Sequence, residues 1–154
     1  MFRSFYLIIA FLSAWISVFA QPANDDCANA QIPPDVTNWC SQDMQPTPTS
    51  ERHHRGSGSP TCIGGALNDV WFTFVAQATD ISIIVNGSTG TGSGGTLLNP
   101  RVVLYSGVCG GVINELECGQ SNFNHIIEIY KGGLIIGETY LIRVMSVIAN
   151  RRHI

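Results

Sequence analysis

The sequence predicts an all-β fold, an antiparallel β-sandwich strengthened by disulfides. Six segments rich in β-branched and aromatic residues follow residue 66, and connections rich in Gly or Asn separate them. No segment carries apolar residues at the spacing i, i+3, i+4 and i+7 of an amphipathic helix. All five cysteines follow a segment that directs export, and exported proteins form disulfides in an oxidising environment.

Residues 1–20 have the pattern of a secretory signal peptide. A positive Arg3 precedes an apolar stretch, which ends with Val18 and Ala20 at the two positions that a signal peptidase inspects. We predict cleavage after Ala20. A membrane anchor is the alternative, but the stretch is shorter than the roughly 20 residues that cross a bilayer. No later run of about 18 apolar residues occurs, so we expect a secreted protein, extracellular or at the cell surface, without a membrane span after cleavage.

The charge composition excludes two classes of protein. Charged residues make up 12% of the chain, Lys occurs once, at Lys131, and the formal net charge is −3. Nucleic-acid binders need clustered Lys and Arg to contact phosphates, so nucleic acid is excluded as a partner. Helical cytosolic proteins normally cover their surfaces with Lys and Glu, which this chain does not supply.

The mature chain divides in two by composition. Residues 21–65 are rich in Pro, Ser, Thr and Gly, and prolines such as Pro33, Pro34 and Pro60 exclude a helix there. We expect these residues to form an N-terminal segment of the module. Residues 66–154 are expected to form the sandwich core.

The sandwich core is predicted to contain six strands. They lie at residues 70–75, 80–85, 101–105, 113–118, 125–130 and 139–144. The second segment alternates clearly, with Ile81, Ile83 and Val85 on one face. Gly137 marks the turn before the last strand, and Tyr140 follows it with the spacing of a tyrosine corner, which fixes a crossing between sheets.

The odd number of cysteines requires one unpaired thiol or a partner outside the chain. The short spacing of Cys109 and Cys118 predicts a bridge that closes a hairpin or a strand corner. Cys27, Cys40 and Cys62 would then give one pair and one orphan. The orphan either pairs between chains, stays a free thiol, or has lost a partner that this chain lacks. Zinc is disfavoured because no C-x-x-C pair occurs.

Four motifs in a fixed order resemble a known family. They are NDDCANA at 24–30, NDVWFTF at 68–74, VLYSGVCG at 103–110 and GETYLIRV at 137–144. Together they resemble the secreted bacterial β-sandwich modules related to the pre-peptidase C-terminal domains. The resemblance implies a jelly-roll-like sandwich without catalytic machinery, attached to a larger secreted protein.

The same resemblance implies a calcium site and a missing strand. Asn24, Asp25 and Asp69 match the positions that bind Ca²⁺ in such modules, and hard oxygen ligands suit that ion. No cofactor is required, so Ca²⁺ would be an optional ligand. Cysteine-containing modules of this kind end with a further strand that carries a sixth Cys. Residues 66–154 are therefore expected to form a core that lacks its last strand.

The candidate chemical groups favour binding over catalysis. A small secreted hydrolase is the alternative from another class, and it would need His53, His54 or His125 beside a serine and a carboxylate. No G-x-S-x-G elbow surrounds any serine. We therefore expect no enzyme activity.

The aromatic residues leave one binding alternative open. Trp39, Trp71 and Tyr105 would form either a sugar-stacking platform or part of the core. If Phe72 and Phe74 face inward, Trp71 lies on the other face, where it binds a ligand or is covered by a second sheet edge or by the N-terminal segment. We expect a secreted, non-catalytic accessory or adhesion module that contacts a surface protein or a polysaccharide, with a carbohydrate-binding module that uses exposed Trp as the alternative.

Overall fold

The computed structural model describes residues 22–37, 39–40, 60–62, 68–87, 97, 99–121 and 125–146. Within them lie a short 3-10 helix, Cys27–Asn29, and six strands. The strands are β1 Asn68–Val75, β2 Asp80–Asn86, β3 Arg101–Gly107, β4 Ile113–Gln120, β5 Ile126–Gly132 and β6 Thr139–Ser146. All six predicted strands are confirmed, with bounds that differ by one or two residues.

The six strands form two antiparallel sheets that pack as a sandwich. The large sheet has the order β1-β6-β3-β4, and the small sheet pairs β2 with β5. The predicted fold class, an all-β antiparallel sandwich with disulfides, is confirmed. No helix in the described part of the chain is long and apolar enough to cross a membrane.

The inner core lies between the two sheets. Along β1 the side chains alternate, and Phe72 and Phe74 point inward to meet buried residues such as Leu104 of β3. Ile83 of β2 and Ile129 of β5 contribute from the small sheet. The inward-facing residues of the alternating strands therefore form one continuous apolar layer between the two sheets.

Gly119 allows the two sheets to meet at one corner. A Cβ atom at Gly119 would lie 2.5 Å from Cγ2 of Ile129, which is closer than real carbon contacts allow. The missing side chain lets β5 pack directly beside β4. Nearby, Lys131 Nζ lies 3.9 Å from a carboxylate oxygen of Glu117 and links the same two strands.

Tyr140 fastens the turn between β5 and β6, as its spacing predicted. Its hydroxyl accepts a hydrogen bond from the backbone N–H of Ile135 at 2.9 Å. Leu134 is buried beside it, and its N–H donates to the carbonyl of Thr79 at 2.9 Å. Gly137 has φ of 89°, a left-handed conformation that glycine adopts without strain.

Candidate functional site

Residues 22–31, here called the strap, run along the free edge of β1. The N–H of Trp71 donates to the carbonyl of Asn24 at 2.8 Å, and the N–H of Gln31 donates to the carbonyl of Trp71 at 2.9 Å. The N–H of Thr73 donates to the carbonyl of Gln31 at 2.9 Å. These bonds satisfy edge groups of β1 that would otherwise face solvent.

The chain passes from one face of the large sheet to the other around this edge. Cys27 and Ala30 of the strap pack on the outer face, against a cluster that contains Trp71. Further along, Val36 and Trp39 pack on the inner core, and the Trp39 ring meets that of Phe72 edge-on at 5.4 Å. Trp39 is half-buried in this contact, so it is a packing residue and not an open platform.

The disulfide pairing differs from the prediction. The two bridges are Cys27–Cys109 and Cys62–Cys118. The predicted Cys109–Cys118 bridge is wrong because Cys109 lies in the turn after β3, whereas Cys118 lies opposite Val103, far along β4. Five residues separate Ile113 from Cys118, which is about 17 Å of strand, and bridged Cα atoms lie within roughly 7 Å.

The orphan thiol belongs to Cys40. Cys27 and Cys62 each pair with a cysteine of the β3–β4 hairpin, so the predicted pair among the first three cysteines is also wrong. Cys40 is free and exposed. The prediction of one unpaired cysteine is confirmed by this arrangement.

A second piece of the N-terminal region is also fastened to the hairpin. The N–H of Thr61 donates to a carboxylate oxygen of Glu115 at 2.9 Å, and its hydroxyl donates to the other carboxylate oxygen. Cys62 follows directly, bridged to Cys118. Polar contacts and a disulfide thus hold residues 60–62 against β4.

An ionic and aromatic group, here called the outer cluster, lies on the outer face of the large sheet. It consists of Asp69, Trp71, Tyr105 and Arg143. Nε of Arg143 donates to Oδ2 of Asp69 at 2.6 Å, and the guanidinium carbon lies 5.0 Å from the centre of the Trp71 ring. The rings of Trp71 and Tyr105 stack at 5.9 Å. The position of Arg143 directly opposite Trp71 in the β1–β6 register creates this contact.

The outer cluster is enclosed. Only 1% of Arg143 and 3% of Trp71 is accessible to solvent. Burial raises the pKa of the Tyr105 hydroxyl, and the positive charge of Arg143 acts in the opposite direction. That hydroxyl is buried beside the Arg143 guanidinium.

The burial of Trp71 corrects its assignment as a ligand-binding residue. A sugar-stacking platform requires an accessible ring face, and the Trp71 ring lies against Tyr105 and Arg143 beneath the strap. The covered position, the other reading of the sequence, is the observed one. Its physical reason is that Cys27 and Ala30 of the strap and the other disulfide cysteines pack against the cluster that contains Trp71.

The three predicted calcium ligands have contacts within the protein. The side-chain amide of Asn24 donates to the carbonyl of Trp71 at 2.9 Å, and Asn24 is buried. The carboxylate of Asp69 binds Arg143, while Asp25 is half-buried in the strap. No group of three or more His, Cys, Asp or Glu side chains fit to hold a metal occurs in the described ranges. Calcium binding stays a prediction, and Asn24 and Asp69 fasten the strap and the sheet.

The histidines of the hydrolase alternative are only partly described. His53 and His54 lie outside the described residues. His125 is half-buried before β5, and its carbonyl accepts a hydrogen bond from the N–H of Gly87 at 2.5 Å. Its Nδ1 is buried without a hydrogen-bond partner among the residues that the structure describes.

The outer side of the small sheet, here called the small-sheet face, exposes large apolar side chains. Ile84, Ile126 and Tyr130 are 58%, 57% and 63% exposed. Asn86 pairs with Ile126 and Ile84 pairs with Glu128, so Ile84 is the diagonal neighbour of both other apolar residues. Beside them, the hydroxyl of Ser82 donates to the carboxylate of Glu128 at 2.7 Å.

Sequence reasoning missed Arg143, although a signal for it was present. Arg143 stands between Ile142 and Val144 in an otherwise apolar strand, and it shares the alternation of Leu141 and Met145. A charge at a buried position needs a partner, and Asp69 is the acidic residue at the start of the neighbouring strand.

Comparison of the chain with protein-family models, curated proteins and solved structures found no match.

Proposed function

We propose that this protein is a secreted, non-catalytic accessory or adhesion module that acts by contact with other macromolecules. The small-sheet face carries this proposal. Ile84, Ile126 and Tyr130 are each more than half exposed on one side of the small sheet, with Ile84 the diagonal neighbour of the other two. Grouped exposed apolar side chains typically mark an interaction surface.

A surface protein is the partner that this face fits best. Its polar side chains are the exposed Asp80, Asn86 and Glu128, and Ser82, whose hydroxyl donates to the Glu128 carboxylate. Such a face buries apolar area against a partner, and its polar groups provide hydrogen bonds across the contact. Tyr130 supplies the amphipathic aromatic ring that is frequent at the centre of protein interfaces.

The disulfides support an extracellular location for this function. Two bridges are typical of proteins in an oxidising, extracellular environment. Residues 1–20, with the pattern of a signal peptide, would direct the chain there. The motifs that resemble pre-peptidase C-terminal modules support a role as part of a larger secreted protein.

Polysaccharide contact is the second candidate, and Tyr130 favours it. Trp71 is enclosed, so an exposed tyrosine replaces it as the ring on which a sugar would stack. Glu128 and Ser82 lie on the same face and offer polar groups for sugar hydroxyls. Tyr130→Phe would keep the stacking ring, whereas Tyr130→Ala would remove it.

The test compares binding by the exported chain and two face variants, Ile126→Ser and Tyr130→Ala. Surfaces coated with cell-surface protein and gels that contain soluble polysaccharides serve as probes. Ile32→Ser is the matched control, because Ile32 is 72% exposed and lies in the N-terminal region, away from the small sheet. We expect at least a tenfold loss of binding for both face variants and none for the control. Binding by both face variants that equals binding by the unchanged chain and by Ile32→Ser would contradict the proposal.

A further inference from the structure

Both disulfides join the N-terminal region to one hairpin. Cys27 of the strap is bridged to Cys109 in the β3–β4 turn, and Cys62 is bridged to Cys118 within β4. Neither bridge links two strands of the sandwich to each other. The covalent bonds therefore hold a covering layer on the large sheet, while hydrogen bonds and apolar packing hold the sheets.

The strap buries little apolar area of its own. Its 3-10 helix, Cys27–Asn29, contains no buried residue, and Ala28 and Asn29 are exposed. Hydrogen bonds from Asn24 and Gln31 to β1 are its main polar attachment. A segment with little buried apolar area opens more easily than the strands beneath it.

The surface beneath the strap contains charged and polar side chains, which lose hydration when they are buried. Arg143 and Asp69 are an enclosed ion pair, and the Tyr105 hydroxyl is buried beside the Arg143 guanidinium. Each of these groups would regain hydration if the strap moved away. The Cys27–Cys109 bridge acts against this tendency by restricting the strap to the neighbourhood of the β3–β4 turn, and the Cys62–Cys118 bridge restricts residues 60–62 in the same way.

We propose that the strap is a redox-operated cover over the outer cluster. A dithiol reductant opens it by thiol–disulfide exchange at both bridges. In each step the protein S–S bond breaks, each cysteine sulfur takes up one electron and one proton, and the dithiol is oxidised to its disulfide. The released strap then exposes Trp71, Tyr105 and the Asp69–Arg143 pair, and the two-sheet sandwich stays folded.

The test is hydrogen exchange of the full-length chain produced with export, before and after reduction by dithiothreitol. Cys40→Ser serves as the background in both states, because a free thiol would reshuffle the bridges. We expect the amides of Trp71 and Thr73, which donate to strap carbonyls, to exchange at least tenfold faster after reduction. The amides of β3, in the middle of the large sheet, should keep their protection.

A second measurement keeps the test independent of any one variant. Tryptophan emission should shift to the red on reduction and return on reoxidation, while the far-ultraviolet circular dichroism of the strands stays constant. Removal of the one bridge that holds the strap, by Cys27→Ser with Cys109→Ser, should open the strap without a reductant. Two results would overturn the proposal. In the first, the amides of Trp71 and Thr73 stay protected from hydrogen exchange after complete reduction. In the second, the amides of β3 lose their protection together with those of Trp71 and Thr73.

Discussion

Asp69 and Arg143 form an almost fully enclosed ion pair at the centre of the outer face. Their side chains are 11% and 1% exposed, and Nε of Arg143 lies 2.6 Å from Oδ2 of Asp69. Because β1 and β6 are neighbours, the two residues lie diagonally across the strand pair. The two residues are 74 positions apart in the sequence, so the ion pair forms only because β1 and β6 are neighbours in the sheet.

Asp69→Ala should lower the free energy of unfolding by about 3 to 5 kcal/mol, because the buried Arg143 charge loses the carboxylate that its Nε donates to. The double change Asp69→Leu with Arg143→Met should recover much of this loss. Denaturant unfolding of the oxidised protein gives both values. Glu117→Ala is the control, since its pair with Lys131 is long and partly exposed, and its loss should cost no more than about 1 kcal/mol.

Peptide mapping should distinguish the observed bridges from the alternative. Cleavage after Arg101, Glu115 and Glu117 under non-reducing conditions places Cys62, Cys109 and Cys118 in three separate peptides. We expect mass spectrometry to find Cys109 linked to the peptide of Cys27, and Cys118 linked to that of Cys62. Alkylation without reduction should label Cys40. A fragment in which Cys109 and Cys118 are bridged would contradict the structure.

Tyr140→Phe should destabilise the protein by about 1 to 2 kcal/mol, because it removes the hydroxyl that accepts from the Ile135 N–H. Thermal or denaturant unfolding measures the change. Tyr130→Phe is a matched control with the same chemistry on an exposed ring, and it should leave stability unchanged. Equal effects of the two substitutions would show that the tyrosine corner does not hold the β5–β6 turn.

Tyr105 should make stability depend on alkaline pH. Burial raises the pKa of its hydroxyl, so the folded state favours the neutral form. The resulting stability is fully present below the unfolded tyrosine pKa of about 10 and is lost as the pH rises through the folded value. Tyr105→Phe removes the ionisable group, so unfolding of this variant should begin at a higher pH in an alkaline titration followed by circular dichroism. An unchanged onset would contradict this role of Tyr105.

The strands were predictable because their signal is local. Alternation in Ile81, Ile83 and Val85, and the density of β-branched residues in the other segments, fix a strand regardless of its neighbours. The corner at Tyr140 is local as well, since only five residues separate its hydroxyl from the Ile135 amide that it binds.

The pairing of the cysteines was not predictable in the same way. Cys109 and Cys118 are close in sequence, but a straight strand carries Cys118 away from the turn. Their true partners depend on where the N-terminal region crosses the large sheet, which local propensity does not specify. The burial of Trp71 has the same origin, because the strap that encloses it precedes it by about 40 residues.

The strap also occupies the border of the large sheet. Trp71 and Thr73 would otherwise present unsatisfied backbone groups on an outermost strand, which is the template that drives intermolecular strand addition and fibrous aggregates. A recombinant version trimmed to the six strands would uncover that template. Its solubility would suffer even with every strand intact, so the disulfide-linked N-terminal region is as necessary for a monodisperse preparation as the sandwich is for the fold.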